Sequence, residues 1–144
     1  KLVIIILNIT NSFSHGKSSH LRKNYADAKE FCENASINGF RTGRLFEPKT
    51  QSINDKVYAE SNRVSNKDRI DGIDDWIGIK YFKEIGERRS DHFAYTSSKT
   101  ELELQNWGRN QPSNGARKDC VCWLDGKWHN DHCNRKHSFI CEFV

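Results

Sequence analysis

Apolar residues recur at helical spacing twice in the first half of the chain and give way to short β-type runs in the second. In NYADAKEFCENAS (24–36), Tyr25, Ala28, Cys32 and Ala35 form one stripe, and Asn24 with Asp27 three residues on supplies an N-terminal cap. Gly39 marks the end of that helix. PKTQSINDKVYAESNRV (48–64) predicts a second helix, capped by Thr50, with Ile53, Val57 and Val64 on one side. Four short runs then carry the β signal: 76–82, 92–97, 119–124 and 138–143. Helices first and strands later predict an α+β fold with antiparallel pairing, not an alternating α/β sheet. Between 97 and 120 no period is visible. Loops longer than about 12–15 residues are uncommon in compact domains unless they serve a function. Trp107 and Pro112 lie within this one, which predicts an ordered functional loop.

The strongest apolar run is the start, KLVIIILNITNSFSHG, and it is too short to span a bilayer. Its order of basic, apolar and small polar residues matches the tail of a secretory signal peptide. Its β-branched Val3, Ile4, Ile5, Ile6 and Ile9 also suit a strand. The chain therefore divides into 1–14, a signal-peptide remnant (the preferred reading) or first strand, and a single domain over 15–144. Glycosylation sequons stand at Asn8 and Asn34.

Composition narrows the function classes. Of 144 residues, 35% are hydrophobic and 11% aromatic, enough for a packed core, and the net charge is +4. The basic residues are interleaved with acids and form no long run, which excludes a nucleic-acid partner. Five cysteines (Cys32, Cys120, Cys122, Cys133, Cys141), four of them in the last quarter, point to a secreted, disulfide-bonded protein with one thiol left over. A bond between Cys32 and Cys141 would close most of the chain into one ring, worth about 4–5 kcal/mol in the loop-entropy model. Cys133 then pairs with Cys120 or Cys122. Alternate residues on a strand share a face, so spacing leaves both open.

The ordered motifs carry a resemblance. YADAKEFC, WIGI at 76–79, NW followed by QP, then DC, a Trp with a cysteine five positions on, and finally FICEF resemble the C-type lectin domain, from about Tyr25 to the C-terminus. The short form without a cysteine pair before the first helix is similar to the invertebrate, secreted, perlucin-like type. The resemblance implies a C-type lectin-like fold: two helices on small antiparallel sheets, a long ordered loop and two disulfides, Cys32–Cys141 and Cys120–Cys133. Cys122 is then the odd thiol, either buried or joining two chains as a homodimer. The resemblance also implies a site where Ca²⁺, held by carboxylates and amide oxygens, takes two adjacent sugar hydroxyls into its shell.

The residues at that site depart from the family pattern. The triplet ahead of the cysteine motif is Gln111-Pro112-Ser113, galactose-like at its first position and a hydroxyl at its last. Lys118 stands where the family commonly has a ligand carboxylate. The Asn and Asp of the family's WND fall on His129 and Asn130, while this chain's own Asn-Asp pair, Asn130-Asp131, is shifted by one. Asp119 fits an accessory metal position. Gln111, Asp119, Asn130 and Asp131 are the metal candidates, and their low ligand charge predicts weak or absent Ca²⁺ binding at the usual position. The sugar-binding candidates are Gln111, Ser113, Asn114, Lys118, His129 and Asn130, supported by Trp107 or Trp128. The function implied is secreted glycan recognition of an innate-immune kind, leaning to galactose-type or acidic glycans. The alternative is a member of the same fold that binds a protein or a mineral matrix. An enzyme is not expected: no nucleophile elbow, phosphate loop or metalloprotease helix is present. A zinc cluster built on HNDHC loses Cys133 to a disulfide.

Overall fold

A computed structural model describes residues 3–5, 21–36, 43–65, 75–86 and 89–143. Helix α1 ends at Asn34 with Ala35 as its C-cap, ahead of the expected end at Gly39, which itself lies outside the described residues. The sequon at Asn8 and most of the 1–14 segment also lie outside them, as does the side chain of Val64. Strand β1 (Val3–Ile5) is followed by helix α1 (Tyr25–Asn34), β2 (Gly43–Leu45), helix α2 (Gln51–Ser65), β3 (Asp75–Tyr81), a short 3-10 turn (Arg89–His92), β4 (Phe93–Tyr95), β5 (Cys120–Leu124), β6 (Lys127–Asp131), β7 (Ser138–Phe139) and β8 (Cys141–Phe143).

Both predicted caps are in place. The Asn24 side chain accepts from the Asp27 amide at 2.9 Å, and Thr50 Oγ1 accepts from the Ile53 amide at 3.2 Å. Each satisfies an amide that the first helical turn leaves without a partner. Helix α1 buries Tyr25, Ala28 and Cys32. Tyr25 reaches furthest, its hydroxyl bonding the Ile77 carbonyl at 3.0 Å and lying 2.6 Å from Thr96 Oγ1.

The strands form two sheets, as the α+β reading requires. One is β1-β8-β2, with Val3–Ile5 antiparallel to β8; the other is β4-β3-β5-β6, with β7 parallel to β3. Two apolar clusters fill the interior. The first gathers Phe46, Ile77, Ile79, Tyr95, Val121, Trp123, Trp128 and Ile140; the second, beneath α1, contains Tyr25, Cys32, Trp76, Cys122, Phe139 and Phe143.

Two disulfides staple the chain. Cys32–Cys141 spans 109 residues and ties α1 to the last strand; Cys120–Cys133 spans 13 and ties β5 to the segment after β6. Strand geometry left Cys120 and Cys122 equivalent, and the structure selects Cys120. Cys122 stands outside any disulfide and is fully buried, at 0% exposure. Of the two expected alternatives for Cys122, the structure shows the buried thiol, and that placement lends a homodimer through Cys122 no support.

Candidate functional site

The site is built on the β5–β6 hairpin. Asp125 and Gly126 connect the strands, with φ of 52° and 76°. Two successive left-handed residues make the two-residue turn whose twist matches that of the strands, and Asp-Gly is among the pairs that adopt it readily. The register is Cys120↔Asp131, Val121↔Asn130, Cys122↔His129 and Trp123↔Trp128. Opposed residues in an antiparallel pair share a face and successive ones alternate. Asn130 and Trp128 therefore point one way with Val121 and Trp123. Asp131 and His129 point the other way with Cys120 and Cys122.

On the first face the long loop is fastened to the hairpin in two places. At its start, the Asn106 carbonyl accepts from the Trp128 amide at 2.9 Å and the Asn106 side chain donates to the Gly126 carbonyl at 2.7 Å. Trp107 stands edge-on to both Trp128 and Phe93, which explains a Trp in a loop without strand period. The chain then turns through Asn110, at φ 60°, into a cis Gln111–Pro112 bond.

The second fastening is Asn130. Its Oδ1 accepts from the Ser113 amide at 2.7 Å and from Ser113 Oγ at 3.0 Å. Its Nδ2 donates to the Ser113 carbonyl and the Lys118 carbonyl, both at 2.9 Å. A carboxamide has two acceptor sites and two donors, so all four are used. One buried side chain thus clamps both ends of the 113–118 segment.

The sequence-predicted residues divide around that clamp. Ser113, Lys118 and Asn130 are brought together, with Lys118 joining through its backbone. Gln111 lies beside them, and its Oε1 is buried with no hydrogen-bond partner. Asn114 is exposed at the loop surface. Asp119 is half-exposed just before β5, and its carbonyl accepts from the Tyr81 amide at 2.8 Å. His129 is half-buried on the opposite face of the strand, where a Cβ on Gly108 would come within 2.8 Å of its Nε2.

Asp131 is also carried away from the loop. The register shows no slip at β6, so the shifted Asn-Asp pair does not turn its carboxylate toward Ser113. Asp131 Oδ2 lies 2.8 Å from His137 Nε2, while Oδ1 accepts from the His132 amide at 2.8 Å and pairs with Arg135 at 3.3 Å. The strand β6 itself was not among the runs predicted from sequence. The signal that could have found it is Asp125-Gly126 directly after an apolar run.

A family model described as the lectin C-type domain matches residues 21–143. The chain belongs to the C-type lectin domain family. Mouse C-type lectin domain family 3 member A is 31% identical over 127 residues, covering 85% of this chain and 56% of that protein. The snake protein lectoxin-Phi1 of Philodryas olfersii is 28% identical over 142 residues, covering 91% of this chain and 80% of its own length. Coverage of relatives is uneven: this lectin domain spans about half of the mouse protein and 39% of mouse Collectin-10. Among solved structures, CEL-I from Cucumaria echinata matches with a TM-score of 0.69 at 15% identity, over 85% of this chain and 84% of its own. The cow CD23 carbohydrate-recognition domain, determined in the presence of a GlcNAc2Man3 oligosaccharide, matches at 0.64 with 24% identity, over 85% and 81%. Both establish the fold. No helix among the described residues is long and apolar enough to cross a membrane.

Proposed function

We propose that this lectin domain recognises glycans through the long loop and β6 without a calcium ion at the family's usual position. The observation that carries the reading is the Asn130 clamp. Ca²⁺ takes six to eight oxygens, and its affinity rises with ligand charge. Gln111, Ser113 and Asn130 contribute no carboxylate, Asn130 Oδ1 is already filled by two donors, and Lys118 adds a cation nearby. These residues do not fit the ion. The amide holds the loop where a metal would otherwise bridge it.

Saturation of Asn130 changes its role from ligand to positioning residue. Contact with sugar falls to Ser113 Oγ, Asn114, the Lys118 ammonium and the exposed part of the Gln111 side chain, whose Oε1 is buried and unpartnered. A hydroxyl-bonding set with one cation suits galactose-type or acidic glycans. Two disulfides suit an extracellular, secreted protein, and innate-immune glycan recognition is the role consistent with such a domain. A protein-binding member of the family is the second reading, favoured by the same saturation of Asn130. A mineral-matrix, perlucin-like role is less well matched, because the net charge is +4.

A glycan array probed in Ca²⁺ and again in chelator tests the proposal. Binding to galactose-type or sialylated and sulfated glycans that survives the chelator is expected. Binding abolished by chelator would sink the metal-free part, and silence in both conditions would sink glycan recognition.

A further inference from the structure

The face of the hairpin turned away from the 113–118 segment holds a second polar constellation, packed against an apolar cluster. Cys122, Asp131 and His137 offer one sulfur, one carboxylate oxygen and one imidazole nitrogen, all within 4.8 Å of one another. Register and pleat put the first two together: Asp131 opposes Cys120 and is therefore the diagonal, same-face neighbour of Cys122. His137 arrives from the segment before β7, fixed by its two backbone hydrogen bonds with Lys23 and by its edge-on contact with Trp76, 4.5 Å between ring centres. Phe139, Trp76 and the Cys120–Cys133 disulfide belong to the same cluster, which excludes water from the sulfur side.

We propose that Cys122, Asp131 and His137 form a binding site for a borderline transition-metal dication such as Zn²⁺, separate from the loop face where the family's calcium position lies. Thiolate, imidazole and a single carboxylate are the donors that such ions select, whereas Ca²⁺ takes hard oxygens. In a tetrahedral zinc site the bond lengths of about 2.0–2.3 Å place neighbouring ligand atoms about 3.4–3.6 Å apart. The trio approaches that spacing: the 2.8 Å contact between Asp131 and His137 opens by about 0.6 Å and the sulfur, within 4.8 Å, closes by about 1.2 Å at most. Binding converts the Cys122 thiol to thiolate and releases its proton to solvent, with His137 ligating as neutral imidazole. Thiolate and carboxylate then balance the dication. Entry is from the Asp131–His137 side, where the side chains keep 12% and 14% of their surface exposed. A solvent molecule takes the remaining coordination position there. Arg135, 60% exposed, pairs with Asp131 Oδ1 and competes with the ion for that carboxylate.

The test uses the oxidised, chelator-stripped domain titrated with Zn²⁺ and with Co²⁺, and glycan binding does not enter it. One ion per chain is expected, with buffer-dependent heat from the released proton and a thiolate-to-cobalt charge-transfer band. Cys122→Ser removes the band, and His137→Gln weakens zinc by more than the roughly 10–100-fold that loss of an outer hydrogen-bond partner costs. Arg135→Gln, a surface change that leaves the fold intact, strengthens binding. The proposal is overturned if the wild-type domain shows no cobalt–thiolate band. It is equally overturned if stoichiometric zinc persists in Cys122→Ser and His137→Gln, which would place the ion on other histidines. Should those two variants fail to fold, the wild-type band and the response of Arg135→Gln decide: no strengthening in Arg135→Gln means that Asp131 is not a ligand.

Discussion

Asn130 and Asp131 are neighbours on β6 and differ by little more than an amide nitrogen, yet the pleat sends them into surroundings of opposite character. Asn130 faces the long loop and spends two acceptor sites and two donors on Ser113 and Lys118. Asp131 faces the α1 side and meets His137, Arg135 and the His132 amide, every one a donor. A carboxylate on the first face would confront two carbonyl oxygens; an amide on the second would present hydrogens to donors. The comparison teaches that the identity of a residue in a site motif carries meaning only together with the face of the strand it occupies. Chemistry that could serve a metal has not vanished from this hairpin but lies on its other side.

The largest effect is expected from breaking the second face. Asp131→Ala leaves the nearly buried His137 without its partner, and removing one partner of a buried pair costs about 3–5 kcal/mol. Urea unfolding would read this as a lower midpoint at constant slope. A loss below about 1 kcal/mol would mean that the Asp131 cluster does not hold β6 to the β7 segment.

The converse exchange on the first face comes next. Asn130→Asp deletes two donors and sets a negative charge against the Ser113 and Lys118 carbonyls, at an expected cost of about 2–3 kcal/mol in chelator. Added Ca²⁺ should recover part of that loss, because the variant restores a carboxylate beside carbonyl oxygens. Thermal unfolding with and without Ca²⁺ measures both halves. Unchanged stability in chelator would refute the clamp.

The smallest effects separate holding from binding. Ser113→Ala removes one of two donors to Asn130 Oδ1 while its backbone amide stays, for about 0.5–1.5 kcal/mol. Lys118→Ala keeps the carbonyl that Asn130 uses, so stability should stay within about 0.5 kcal/mol. Its affinity for acidic glycans, read by titration calorimetry, should fall. Equal loss of affinity for neutral and acidic glycans would show that the Lys118 charge is not what the ligand senses.

Much of this frame was legible in the chain. Asn24 and Thr50 announced two helix starts because a cap is a local arrangement of side chain and nearby amide. The apolar runs at 76–82 and 119–124 announced β3 and β5 because burial on both faces leaves a continuous apolar signal. Strand β2 was invisible, since Gly43–Leu45 is three residues long and too short to show a period. Strand β6 was hidden for a different reason: Lys127, His129 and Asp131 alternate with Trp128 and Asn130, a pattern with one apolar residue in five.

The sequence by itself determined the α+β class, the long ordered loop and the cysteines available for stapling. These depend on local spacing and on which residues are present. Strand spacing left Cys120 and Cys122 open as partners of Cys133, the family resemblance implied Cys120, and the structure bears that out. Only the tertiary structure decided that Asn130 rather than Asp131 faces the 113–118 segment and that Asp131 meets His137. The physical reason is the pairing register of β5 with β6. A shift of one residue would exchange the two faces, and that register is set by a hairpin turn and by packing against β3, neither of which is a property of any single residue.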